Sequence, residues 1–120
     1  MPLLKGNETT MDTKAFCESL SRRFPEVAPL LAQHIADYDQ ILPHVFMGDV
    51  TRYILSAAVE SRKAIVMELE RHFEDDSEEI QDLIAVSFVE NLEDETHLEE
   101  ALSGIHADAL REEWVRQHTH

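Results

Sequence analysis

Between Ser77 and Leu92, apolar residues recur at Ile80, Leu83, Ile84, Phe88 and Leu92, the spacing that places them on one face of an α-helix. Ala85, Val86 and Val89 widen that stripe. A helix apolar over so much of its circumference packs against more than one neighbour, so the segment is expected to be the central element of a helical globule. The chain has 120 residues, enough for one helical core and too few for two. It has only three glycines, and no segment alternates apolar and polar residues at the period of a strand. The expected fold is all-α: a compact bundle of about six to seven short helices in antiparallel pairs. HEAT-like stacking of hairpins is the alternative arrangement.

The remaining helices follow from caps and prolines. Thr10 or Asp12 can cap a helix over about 13–24, which Pro25 ends. A second spans about 26–38, with Val27, Leu30, Leu31, Ile35 and Tyr38 on one stripe. Pro43 can open a third that runs to about Val59, in which the interior Gly48 points to close packing against a neighbour. Ser61 is the expected cap of a fourth over about 62–73, and Asp76 with Glu79 forms a capping box for the central fifth. Thr96 with Glu99 repeats that pattern for a short sixth helix closed by Gly104, and a last helix covers about 107–117. Residues 1–10 are expected to be a loose tail, 11–117 a single helical domain, and 118–120 a frayed end.

No run of about 18 apolar residues is present, which argues against a membrane span. The first residues lack a long apolar core and a small-residue cleavage site, which points to the cytoplasm. Cys17 is alone, so no internal disulfide or cysteine-based zinc site is expected, and its place on an apolar face reads as a buried thiol.

Net charge is −15, and its placement is uneven. Residues 1–71 hold 10 acids and 8 bases, whereas residues 72–110 hold 13 acids and no Lys or Arg. Direct binding of nucleic-acid phosphates by that half is not expected, because such binding is built on Lys and Arg. Acids around the start of the fifth helix, Glu74 to Asp82, gain from the helix dipole and have a structural cause. Glu90, Glu93, Asp94, Glu95, Glu99 and Glu100 do not: they flank a turn, and no nearby cation in sequence offsets them. An uncompensated acidic surface is what a binder of a basic protein presents.

The densest polar cluster among core positions is Leu42 to Tyr53. Asp49 and Arg52, three apart on a helix, can pair across one turn, while His44 faces partly elsewhere. Glycine-rich phosphate loops, GxSxG and HExxH are absent, and no His or carboxylate has a second group at a useful spacing, so catalysis is not expected. The seven histidines are scattered, and the acids near Asp75 lack the spacing of a calcium loop, so no cofactor or metal is expected.

The stretches Leu42-Pro43-His44-Val45-Phe46-Met47-Gly48-Asp49-Val50-Thr51-Arg52 and Leu83-Ile84-Ala85-Val86-Ser87-Phe88-Val89-Glu90-Asn91-Leu92 resemble a family of small, largely uncharacterised bacterial all-helical proteins. With Leu110-Arg111-Glu112-Glu113-Trp114, the likeness covers most of residues 25–116. Members of that family are similar in size and character to immunity proteins of bacterial toxin systems. The resemblance implies an intracellular inhibitor that binds and neutralises a basic toxin, such as a nuclease. Its contacts are expected at Glu90, Glu93, Asp94, Glu95, Glu99 and Glu100, with Asp49 and Arg52 as secondary candidates. A phage- or plasmid-encoded nucleic-acid mimic, acting on a defence or regulatory complex, is the alternative, and a small ligand- or metal-binding helical module a third. Oligomeric state is left open.

Overall fold

Capping and proline chemistry delimit seven helices in a computed structural model that describes residues 11–119. The tail expected over 1–10 lies outside the described residues. Asp12 caps α1 (Thr13–Arg23), its Oδ1 accepting from the Ala15 N–H at 2.8 Å. Pro29 sits in the first turn of α2 (Ala28–Tyr38), which closes on Asp39 in the left-handed conformation, φ 60°. Pro43 opens α3 (Pro43–Ser56), and the Leu42 N–H just before it donates to the buried Nε2 of His34 at 2.9 Å. Then come α4 (Val59–Asp75), α5 (Glu78–Ile84), a π turn (Ala85–Val89), α6 (Glu95–Leu102) and α7 (Asp108–His118).

Several boundaries differ from those the sequence suggests. The break between α3 and α4 falls at Ala57 and Ala58, so α4 begins before Ser61 and uses no side-chain cap. Ser77 caps α5 and Asp94 caps α6, in place of Asp76 and Thr96. The expected cap lies one residue before the true one at α5 and inside the first turn at α6, because neighbouring Ser, Thr and Asp residues cannot be told apart as caps by pattern. His118 is helical, not frayed, and its ring stacks on Trp114 with centroids 4.0 Å apart.

α5 and the π turn form the centre, as the wide apolar stripe predicts. They contact α1, α3, α4 and α7, and bury Ile80, Leu83, Ile84, Phe88 and Val89 completely; Leu92, just beyond them, is also buried. Val86 is the exception and faces solvent. The regular ladder gives way at Ala85: the Glu90 N–H donates to the Ala85 carbonyl, five residues back, at 3.0 Å. Side chains take up the carbonyls of this irregular stretch. Ser87 O accepts from the Thr51 hydroxyl of α3 (3.0 Å) and from Asn91 Nδ2 (2.8 Å), and Leu92 O accepts from Trp114 Nε1 (2.6 Å). Trp114 therefore closes the core, and its indole donor is satisfied there.

α7 lacks a cap of its own. Glu70 of α4 supplies one, its two oxygens accepting from the Ala109 and Leu110 N–H groups at 2.8 and 2.9 Å. That long-range cap satisfies two orphan donors at a helix start and places a carboxylate at its positive end. Among the described residues no helix is long and apolar enough to cross a membrane.

Candidate functional site

α6 buries Leu98, Ala101 and Leu102, so Glu95, Thr96, Glu99, Glu100 and Ser103 are left on its outer side. Together with Arg62 of α4 these five residues line a groove of about 540 Å³. Asp94 belongs to the same segment, but its Oδ1 accepts from the His97 N–H at 3.0 Å and starts the helix. The surface is not wholly uncompensated, in contrast to the reading from sequence. Arg111 of α7 reaches Glu99 at 3.2 Å while donating to the Leu102 carbonyl, and Arg62, anchored on the Ala57 carbonyl at 3.1 Å, stands in the groove wall. Both cations come from elements distant in sequence, so local charge counting misses them.

A second hollow, of about 160 Å³, lies over Gly48, between α3 and the segment after the π turn, with Thr51, Arg52, Leu55, Asn91 and Glu93 around it. Asp49 and Arg52 form the expected ion pair across one turn. Arg52 also borders a third hollow, between α2 and α3, that contains Asp37, Asp49 and Tyr53. The close packing inferred for Gly48 is absent. A Cβ there would meet only the end of the Arg52 side chain, at 3.9 Å. What the glycine leaves vacant is the hollow itself.

His44 turns away from Asp49 and shares a 2.6 Å hydrogen bond, through Nδ1, with Ser87 Oγ. The two stretches that carry the family resemblance thus meet through His44–Ser87 and Thr51–Ser87. Ser87 is 4% exposed, and its carbonyl is held by two side chains, so the pair acts as a clamp on the π turn. No periodicity signals this contact, because it depends on the π turn advancing Ser87 towards α3.

Other carboxylates serve the fold. Glu68 is buried on α4 and gathers Arg71 (2.7 Å), His72 (2.9 Å) and Arg23 of α1 (3.5 Å). Burial pushes its carboxyl up, but hydrogen bonds from His72 and Arg71 and the charges of Arg71 and Arg23 outweigh that and hold it below the ordinary glutamate value. His72 meets Asp76 with its other nitrogen at 2.6 Å and Phe16 edge-on at 5.0 Å. Glu113 of α7 pairs bidentately with Arg116, raising the Arg116 guanidinium above its usual value, at one side of a groove of about 620 Å³. The exposed acids Glu78, Glu79 and Asp82, which the helix dipole explained at sequence level, line that groove too. Burial, reinforced by the charge of Glu18, pushes the Cys17 thiol up to about 12, which makes it a packing group and not a nucleophile.

The candidate residues therefore separate. Glu95, Glu99 and Glu100 share the α6 groove; Glu93 and Arg52 share the Gly48 hollow, with Asp49 bound to Arg52; Glu90 is exposed at the end of the π turn; Asp94 is a cap. Arg62, Thr96 and Ser103 in the groove and Gly48, Thr51, Leu55 and Asn91 in the hollow are members that sequence reasoning did not place in a site. Among the described residues no group of three or more His, Cys, Asp and Glu side chains could hold a metal ion.

Against this geometry, one family model matches: DUF7674, a domain of unknown function, over residues 17–120. No curated protein and no solved structure matches the chain.

Proposed function

The chain belongs to the DUF7674 family, and from that premise we propose that it is an acidic protein-binding module, an immunity-type inhibitor that covers the basic surface of a toxin. One observation carries the reading. Glu95, Glu99 and Glu100 line an open groove on a helix with no Lys or Arg of its own, within a stretch, 72–110, that lacks both entirely. Carboxylates held on a rigid, capped helix keep a fixed spacing, and a fixed spacing can match the cations of one partner. Arg62 and Arg111 at the edge temper the field and give it direction. A toxin that cleaves nucleic acid concentrates Lys and Arg around its active site, and that is the surface such a groove fits. The immunity role itself rests on the resemblance carried by residues 42–52, 83–92 and 110–114.

Capture from lysate at low salt, followed by a salt step, isolates the partner. The reading expects a basic protein whose association is fast and salt-sensitive. It also expects that protein to be toxic when expressed alone and harmless with this chain. A captured protein that is harmless alone and is displaced by DNA points instead to nucleic-acid mimicry.

A further inference from the structure

We propose that the hollow over Gly48 is a subsite for one lysine side chain of the basic partner; this rests on the binding reading above and adds a second, sequence-distant contact to it. Glycine inside a helix is unfavourable relative to alanine, and here no packing requires it, because the space a Cβ would enter holds only the tip of Arg52 at 3.9 Å. Its effect is to keep the hollow open. The opposite wall follows the π turn, a second locally unfavourable feature, which Thr51 and Asn91 tie down through the Ser87 carbonyl. One departure from ideal helix, Gly48, borders the cavity, and the other, the π turn, leads into the segment carrying Asn91 and Glu93 on its far wall.

The lining selects the ligand. About 160 Å³ accommodates a single long side chain and no nucleotide. Leu55 and the bare Gly48 backbone offer an apolar wall for an aliphatic stem. Asn91 spends its Nδ2 on Ser87, which leaves its carbonyl oxygen as an acceptor. Glu93 is exposed and makes no ion pair among the described residues. Arg52, the one cation at the hollow, is already neutralised by Asp49. A compact ammonium meets Glu93 and Asn91 without crowding the Arg52 fork, whereas a second guanidinium does not.

Titrating Nα-acetyl-lysine methylamide into the ¹⁵N-labelled full chain tests this. The expected result is saturable amide shifts at Gly48, Arg52, Asn91 and Glu93, with a millimolar Kd, and none with the norleucine analogue. Gly48→Leu fills the hollow with a good helix former, so its Tm should hold or rise while the Kd for the probe rises at least about tenfold. Glu93→Gln, an exposed change, should weaken the probe without altering the fold, and decides the matter if Gly48→Leu does not fold. Absent or non-saturable shifts, shifts spread over the acidic half, or equal binding of norleucine overturn the subsite. So does a variant that binds as tightly as the parent. None of those outcomes touches the α6 groove, whose own test is partner capture.

Discussion

On α4, Glu68 and Glu70 place their carboxylates on two arginines, a histidine and the start of α7. On α6, Glu95 and Glu100 point to solvent and make no ion pair among the described residues. Residue type and helix context are the same, and the difference lies in what each faces. The charge of −15 is thus two populations: acids that the fold consumes and acids that it displays. Only the second can recognise a partner, because a carboxylate already satisfied by cations or backbone N–H groups has little left to offer.

The comparison sets an order of effects. Glu68→Ala leaves Arg23, Arg71 and His72 without their shared acceptor, and urea denaturation should show a loss of about 2–3 kcal/mol. The same residue has a pH signature. Its folded carboxyl sits below the unfolded value, so its stabilisation is complete above the unfolded pKa and disappears as pH falls through the folded one. Denaturation midpoints should therefore decline in that acid range, and Glu68→Gln should flatten the decline. A variant with an unchanged acid limb contradicts the assignment.

Glu70→Ala should cost about 1–2 kcal/mol and raise amide exchange at Ala109 and Leu110, since α7 has no other side-chain cap. Gly48→Ala moves the other way: thermal melts should show a gain of roughly 0.5–1 kcal/mol, because a methyl fits where only Arg52 approaches. Any loss of stability there means that packing, and not the hollow, explains the glycine. Smallest of all, Glu95→Gln with Glu100→Gln should stay within about 0.5 kcal/mol of the parent. A larger loss would move these two acids into the fold-serving population.

How much of this the sequence reveals depends on the range of each interaction. The central stripe from Ile80 to Leu92 and the Asp49–Arg52 pair are legible, since both are patterns between residues close in sequence. Asp12, one of the two caps the sequence offers for α1, is legible because it bonds a backbone N–H only three residues on. The Glu70 cap on α7, the Arg23 contact of Glu68 and the Arg111 contact of Glu99 are not, because each joins helices that only the fold brings together. The π turn is hidden as well. A ladder shift of one residue leaves the apolar stripe intact while turning Val86 outward and Ser87 towards α3. Gly48 shows the limit from another side: its oddity is plain in the sequence, but the cause assigned from pattern, close packing, is wrong, and only the open space above it gives the reason.

The division of carboxylates is tested most directly by one variant, Glu95→Lys with Glu99→Lys and Glu100→Lys, measured for both stability and affinity towards the captured partner. The account predicts a cooperative urea transition that moves little, together with a loss of affinity greater than about 100-fold at low salt. Unchanged affinity with an intact fold would contradict it, and would return the α6 acids to the role of a solvated surface.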